Sequence, residues 1–409
     1  MTDKLTRRDF AKATGVAAAI AAGGASLFSS GSALAADKPG SATSDIWNKL
    51  YSDIIPGMRE QGKGLKFYVE SEYAPLKACT VGNTSGVFIP DPDTPENKNL
   101  FASGGKEFNA FLRKNKHKNL KDVEPKLYDQ MVMESNALAD AYRQAGVRVV
   151  RYEGDEQPEE ITNYTYGWNA TKQLSLYGGG SFEVFGNCVT QIIEAACSSA
   201  TELLIREATN EIMRNSPEAV WLTMPVPTPL QANHPNPGPF TSPGDIRTFP
   251  GVVVLGIGVA DPSHINDPSK PRSSGTEFGA EMMRRMLKPF GWRVETVHFD
   301  SRLTYHIDCL MPVLEEGLLA YPKGSLWTEL PKEFRDWEVI EMPLEDHHKG
   351  CGNIVPLGNK KIVLPRGTKS FARTLEKRGW TCIEVPYDAI YKTFHSGIHC
   401  STGSIWREA

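Results

Sequence analysis

The recurring order of short segments along the chain is the feature that most constrains its fold. Five segments start with a short apolar strand and a turn rich in Gly, Asn or Asp, and they begin at Leu76, Phe182, Asp245, His306 and Asn353. Four of them continue into a helix-like run, at residues 126–145, 200–213, 275–287 and 370–378, and then into another strand. Strand–strand–helix–strand units that recur in this way form an internal structural repeat.

The repeat period of roughly sixty residues is longer than that of a solenoid. This length favours closure of the α/β units into a ring over stacking into an open array. On spacing alone, an ordinary two-domain α/β protein is an equally good interpretation.

The composition fits a globular protein with a sizeable core, since 40% of the 409 residues are hydrophobic and 23% are charged. The formal net charge is −4, and the basic residues form no long run. We therefore expect neither nucleic-acid binding nor polybasic attachment to a membrane.

The N-terminus has the three parts of a twin-arginine signal peptide in the right order. Arg7-Arg8 stands in Thr6-Arg7-Arg8-Asp9-Phe10, a weakly apolar stretch runs from Val16 to Leu27, and Ala33-Leu34-Ala35 is an A-x-A cleavage site. The alternative is a short amphipathic helix with two chance arginines. We expect cleavage after residue 35 and export by the twin-arginine machinery, which gives a periplasmic or secreted protein that is not membrane-bound in its mature form.

Cys400 differs in its surroundings from most of the other six cysteines, which lie in apolar runs. It follows a Ser-Gly turn and has histidine, serine and threonine neighbours. No CxxC pair or zinc-type spacing occurs, and Gly178-Gly179-Gly180 fits no nucleotide-binding motif. We therefore expect no metal and no cofactor.

A thiol, an imidazole and a carboxylate are the parts of a covalent cysteine enzyme. Cys400 is the candidate nucleophile and His306 the candidate acid–base group. On a strand, alternation would put His306 and Asp308 on one face. Asp308 and Asp245 are the candidate carboxylates, and a carboxylate facing the reacting centre would also suit a planar guanidinium.

These residues fall into an order that resembles the amidinotransferase and arginine deiminase family, the guanidino-modifying penteins, and is nearest to the glycine amidinotransferases. The resemblance covers about residues 70–407. It rests on the motifs Glu72-Tyr73-Ala74-Pro75-Leu76, Val184-Phe185-Gly186-Asn187, Ile192-Ile193-Glu194-Ala195, Gly244-Asp245, Arg272-Ser273-Ser274-Gly275, His306-Ile307-Asp308 and Gly397-Ile398-His399-Cys400.

The resemblance implies an α/β fold, a propeller of five ββαβ modules (the pentein fold), with the site on its central axis. It implies that Cys400 attacks the guanidino carbon of an arginine-like donor and that His306 moves the protons. Asp308 would hold the guanidinium, Asp245 would support His306 or the substrate, and Arg272 would bind a substrate carboxylate.

The chain departs from this family at two places. Counting back from Gly186-Asn187, Gly179 and Gly180 occupy the positions of a family Arg-Asp pair whose carboxylate grips the guanidinium. Lys323-Gly324-Ser325 stands where the amidinotransferases carry an arginine after the His-x-Asp motif. These departures leave the identity of the donor open.

The sequence thus predicts a signal peptide at 1–35, an N-terminal extension at 36–65 and a single catalytic domain at 66–409. The expected function is transfer of an amidino group from a small guanidino donor to an amine acceptor. A guanidino hydrolase of the deiminase or dimethylarginine type is the first alternative, and a binding protein that kept the fold is the second. A homo-oligomer is compatible with the sequence.

Overall fold

The computed structural model describes residues 55–85, 87–93, 105–158, 176–179, 182–192, 199–225 and 238–409. Residues from Ile54 to Ala409 form one compact unit. The predicted signal peptide and most of the predicted extension lie outside the described residues. Met58 and Leu65, which fall within the predicted extension, are buried in a core cluster of this unit.

Sixteen strands form five small sheets in the described part of the chain. The first sheet holds β1 (Tyr68–Val69), β2 (Leu76–Val81), β3 (Arg148–Val150) and β16 (Thr402–Arg407). The second and third hold β4 (Phe182–Phe185), β5 (Cys188–Gln191) and β6 (Val220–Thr223), then β7 (Ile246–Phe249), β8 (Val252–Val259) and β9 (Arg293–Asp300). The fourth and fifth hold β10 (Val313–Glu315), β11 (Leu318–Tyr321) and β12 (Glu338–Glu341), then β13 (Val355–Gly358), β14 (Lys361–Pro365) and β15 (Thr381–Val385).

Sheets two to five share one topology: an antiparallel hairpin followed by a third strand parallel to its second strand. The hairpins turn tightly, as where Phe185 pairs with Cys188 across Gly186-Asn187. Gly186 has a φ of 56°, which glycine adopts without strain. A parallel third strand needs a longer crossover, which accounts for the segment that follows each hairpin.

The last strand of the chain closes the structure onto the first sheet. Strand β16 lies between β1, to which it is parallel, and β2, to which it is antiparallel. The antiparallel pair of the first sheet thus joins β2, near the start of the compact unit, to β16 at its end. This pairing fixes the position of Cys400, which lies two residues before β16.

The helices in the described residues are α1 (Met58–Gly62), α2 (Gly105–Asn115), α3 (Leu120–Val123), α4 (Pro125–Gln144), α5 (Ser199–Leu204), α6 (Arg206–Arg214), α7 (Glu277–Leu287), α8 (Leu344–His347), α9 (Lys369–Glu376) and α10 (Asp388–Phe394). Helix α4 buries Met131, Leu138 and Tyr142 against the first and fifth sheets. None of the described helices is long and apolar enough to span a bilayer.

Two predicted elements are wrong. The segment from His306 to Met311 is not a strand: His306 precedes a 3₁₀ turn, Ile307–Cys309. The predicted helix at 200–213 is two helices, α5 and α6. In the fourth sheet the crossover from β11 to β12 contains a 3₁₀ turn (Lys332–Phe334) in place of an α-helix.

Candidate active site

Cys400 lies in a tight turn between α10 and β16. The N–H of Ser401 donates to the carbonyl of Gly397 at 3.1 Å, and the N–H of Thr402 donates to the carbonyl of His399 at 2.9 Å. The turn leaves the thiol partly exposed, whereas Ser401 and Thr402 are buried. Partial exposure of a thiol within an otherwise buried turn is what a nucleophile requires.

Asn353 fixes both the backbone and the thiol of Cys400. Its Oδ1 accepts from the Cys400 N–H at 3.0 Å, and its Nδ2 lies 3.1 Å from the Cys400 Sγ. The amide is fully buried, and a Cβ at Gly397 would lie 2.3 Å from its Oδ1. Glycine at 397 therefore allows the turn to approach Asn353 closely.

Asp308 is the centre of the polar network around the thiol. Its Oδ2 accepts from the Cys400 S–H at 3.2 Å and lies 3.1 Å from the Nδ1 of His399. Its Oδ1 is buried and has no hydrogen-bond partner among the described residues. This oxygen is an acceptor that a bound cation with N–H groups would satisfy.

A buried arginine, Arg247, determines the state of His399. Its Nη1 lies 2.5 Å from Glu72 Oε2 and 3.2 Å from His399 Nε2. Because a guanidinium can only donate, Nε2 must accept, so His399 is neutral with its proton on Nδ1. That proton is then donated to Asp308, which orients the carboxylate.

Asp308 is ionised in this environment. Burial opposes its ionisation, but the hydrogen bond from His399 and the charge of Arg247 hold its pKa well below the ordinary value. Burial likewise opposes the charge of Arg247, but Glu72 and Asp308 raise its pKa above the ordinary value. The site thus contains a buried anion beside the candidate nucleophile, with an arginine balanced by two carboxylates.

His306 is held against the segment that precedes β7. A Cβ at Gly244 would lie 2.5 Å from its Nδ1, so the imidazole packs directly on the glycine backbone. His306 also contributes to lowering the pKa of Asp308, which lies two residues further along the same turn. The structure therefore brings His306 to the same site as Cys400, although by a turn and not by strand alternation.

Asp245 lies behind His306, fully buried. Its Oδ2 accepts from Ser274 Oγ and the Gly275 N–H, each at 2.8 Å, and from the Ser242 N–H at 2.9 Å. These bonds fasten the 3₁₀ turn Pro243–Asp245, which contains the glycine that supports His306. Of the two expected roles of Asp245, the geometry favours the support of His306.

Arg272, the residue expected to bind a substrate carboxylate, bonds to groups of the protein itself. It is 2% exposed, and its Nη2 and Nε lie 2.6 and 3.1 Å from Glu277 Oε1. Its remaining N–H groups donate to carbonyls of the preceding loop, His264, Ile265, Asp267 and Lys270. Arg272 is therefore the residue that orders this loop, and its donors are already used.

The close packing around Gly179 leaves no room for a larger residue at this position. A Cβ there would lie 2.7 Å from the carbonyl oxygen of Thr402, and its N–H donates to the carbonyl of Cys400 at 3.2 Å. The glycine thus allows the chain to pack on the nucleophile's turn. Gly180, the position of the missing family carboxylate, lies outside the described residues.

Glu183 is a carboxylate at the site that sequence analysis missed. It lies on β4. Burial, followed by the charge of Glu72, raises its pKa well above the ordinary value, with Arg247 and Asp308 also acting on it. A charged residue inside the apolar strand Phe182–Phe185 was the signal that could have revealed it.

His399 and Asn353 were also missed. His399 was visible beside Cys400, but its role depends on Arg247, which is distant in sequence. Asn353 gave no signal, because an asparagine after a glycine is typical of a turn. Both acquire a role only through tertiary packing.

Three donor atoms, from Asp308, Cys309 and Cys400, all lie within 4.8 Å of one another. Two sulfurs and a carboxylate oxygen are a set that could coordinate a soft divalent cation. Asn353 also contacts Cys309: the Nδ2 of Asn353 is 3.2 Å from the Sγ of Cys309. From the sequence, the position of Cys309 directly after Asp308 left a regulatory disulfide open.

Solved structures with the same architecture include two amidinotransferases and a hydrolase. The amidinotransferase SxtG of the saxitoxin pathway, from Microseira wollei, is 15% identical and superposes with a TM-score of 0.63 over 84% of this chain and 98% of its own. Inosamine-phosphate amidinotransferase StrB1 from Streptomyces griseus is 18% identical, with a TM-score of 0.62 over 84% of this chain and 97% of its own. DDAH from Pseudomonas aeruginosa with citrulline is 16% identical, with a TM-score of 0.51 over 80% of this chain and 99% of its own.

The chain has the pentein fold. Its five sheets are the five modules of an α/β propeller, as the repeats and the resemblance predicted. No family model and no curated protein matches the sequence. At these identities the likeness concerns the fold, and a function for this chain must be argued from its own residues.

Proposed function

We propose that this pentein is an amidinotransferase that moves an amidino group from an arginine-like guanidine to an amine through a covalent amidino-cysteine at Cys400. The observation that carries the proposal is the contact of Cys400 Sγ with the ionised, buried Asp308, 3.2 Å away. A thiol, a carboxylate with a second oxygen available for a cation, and a nearby imidazole together supply what guanidino chemistry needs.

Binding of the donor would use the carboxylates of the site. Asp308 Oδ1 has no hydrogen-bond partner among the described residues and would accept from guanidinium N–H groups. Glu183, whose pKa is raised by burial, would ionise beside a bound guanidinium and accept from it as well. A guanidinium held by carboxylates presents its carbon in a fixed plane. A bound cation would also neutralise Asp308, which favours loss of the proton that Cys400 donates to it.

One proton passes from Cys400 to the leaving amine through His306, and one returns from the acceptor amine by the same route. Cys400 gives its S–H proton to His306 and attacks the guanidino carbon. The carbon–nitrogen bond to the leaving amine breaks, and this amine takes the proton from His306. The amidino group remains on the sulfur. An acceptor amine attacks it, gives a proton back to His306, and leaves as a new guanidine with Cys400 restored.

Amidino transfer is preferred over hydrolysis because both amidinotransferases superpose better than DDAH does, with TM-scores of 0.63 and 0.62 against 0.51. The test is incubation of the purified protein with arginine, with and without primary amines, and quantification of the products. Ornithine that forms only with an added amine supports transfer. Citrulline or ornithine formed without an amine would establish hydrolysis, and no product with any guanidine would favour a binding role.

We also propose that the protein is exported through the twin-arginine pathway, since Arg7-Arg8 and Ala33-Leu34-Ala35 have the composition and order of such a signal. The test is fractionation of Gram-negative cells that express the wild type or a variant with Arg7→Lys and Arg8→Lys. The wild type is expected in the periplasm and the variant in the cytoplasm. Equal distribution of the two would refute export by this route.

A further inference from the structure

The nucleophile has a second thiol beside it. The Sγ atoms of Cys309 and Cys400 lie within 4.8 Å of each other, and the Nδ2 of Asn353 contacts both, at 3.2 and 3.1 Å. Both cysteines are free thiols in this structure. Cys309 belongs to the 3₁₀ turn after His306, so the two thiols come from segments far apart in sequence.

The neighbouring backbone holds Cys309 in this position. A Cβ at Gly352 would lie only 1.8 Å from the Cys309 carbonyl oxygen. Gly352 therefore packs against Cys309, and the next residue, Asn353, bonds to both sulfurs. Gly352 and Asn353 together fix the distance between the two Sγ atoms. A purely apolar role for Cys309 would not require this arrangement.

We propose that Cys309 and Cys400 form a reversible disulfide that switches the enzyme off under oxidation. The oxidant is a hydroperoxide. The Cys400 thiolate attacks its peroxide oxygen and becomes a sulfenic acid, and the oxidant is reduced to an alcohol or water. The Cys309 thiol then attacks the Cys400 sulfur, the sulfur–sulfur bond forms, and the hydroxyl leaves as water with the Cys309 proton.

The two thiols are suited to different parts in this sequence. The hydrogen bond with Cys400, together with burial, raises the pKa of Cys309 well above its ordinary value. The partly exposed Cys400 therefore meets the oxidant first, and the buried Cys309 beside it is placed to react with the sulfenic acid. Burial raises the pKa of Cys79 to about 12 and of Cys382 to about 11, so those thiols are poor competitors.

The test treats the reduced full-length protein with hydrogen peroxide and determines its intact mass and peptide map. Loss of two hydrogen atoms and a peptide that joins Cys309 to Cys400 are expected, with return of the original mass after dithiothreitol. In Cys309→Ala and Cys309→Ser, Cys400 should instead be oxidised beyond the sulfenic acid to a sulfinic or sulfonic acid, which dithiothreitol does not reduce. Cys382→Ala, the matched control, should behave like the wild type.

The mass measurement does not depend on turnover, so it distinguishes this proposal from the proposed function. A cross-link in a protein without guanidino activity would leave the switch supported and the enzyme function refuted. Oxygen addition at Cys400 with no cross-link in the wild type would overturn the switch. Activity that dithiothreitol restores equally in the wild type and in Cys309→Ser would overturn it as well.

Discussion

Replacement of Asn353 should slow the alkylation of the Cys400 thiol roughly tenfold. Asn353 is fully buried and donates to the Cys400 sulfur at 3.1 Å. A hydrogen bond to a charged group contributes about 1.5 kcal/mol or more, so losing it from the thiolate corresponds to roughly tenfold slower reaction at fixed pH. In Asn353→Ala the Cys400 N–H also loses its acceptor, which costs about 1–3 kcal/mol of stability.

The assay is the rate of alkylation of Cys400 by iodoacetamide, followed by intact mass at one pH, with urea unfolding in parallel. Asn353→Asp separates the two effects, because it keeps an acceptor for the Cys400 N–H but removes the donor to the sulfur. We expect slow alkylation in both variants and the larger loss of stability in Asn353→Ala. Asn115→Ala, a buried amide elsewhere, is the control. Alkylation of Asn353→Asp at the wild-type rate would refute the reasoning.

Four further predictions follow from the site and its surroundings. His306→Ala should lower kcat by about 10²- to 10⁴-fold, the usual contribution of a general acid–base group; full activity would contradict the assignment. Glu183→Gln should raise KM for the guanidino donor roughly tenfold or more with a smaller change in kcat, because one charge-assisted hydrogen bond to the guanidinium is lost; an unchanged KM would exclude Glu183 from donor binding. Gly179→Ala should reduce alkylation of the nucleophile, since its Cβ would lie 2.7 Å from a backbone carbonyl of that turn; wild-type rates would show that the turn is not packed this way. Burial opposes the ionisation of Glu277, but His298 and Arg272 lower its pKa from 4.5 to about 2. The stabilisation from the ionised Glu277 is therefore present above pH 4.5 and is lost as the pH falls towards 2. In urea unfolding, Arg272→Met should flatten the loss of stability between these pH values, and an unchanged dependence of stability on pH in this range would refute the role of the ion pair.

Elements with a strong local pattern could be predicted from the sequence. The helix expected at 126–145 is Pro125–Gln144, and the apolar run within 251–258 is strand β8, Val252–Val259. Such segments bury one continuous apolar set, so periodicity alone indicates them. The segment from His306 to Met311 misled the prediction, because buried residues in a 3₁₀ turn leave the same apolar pattern as a short strand.

The partners of polar side chains could not be predicted. Arg272 looked available for a substrate, yet the loop that it orders and Glu277 use its donors. Glu183 was not predicted, because counting back from the Gly186-Asn187 turn placed the family carboxylate at Gly180. The packing of the modules decides which polar side chains lie close together. A single sequence indicates such proximity only for residues that are near in the chain, such as His399 and Cys400.

The central claim is that Cys400 forms a covalent amidino adduct, and the most direct measurement is the intact mass of protein quenched during reaction with arginine or related guanidines. The account predicts an added amidino group on Cys400, located by peptide mapping, that is absent from Cys400→Ser and disappears when an amine acceptor is supplied. Product formation by Cys400→Ser at the wild-type rate, or turnover with no adduct at Cys400 under any quench, would contradict the account.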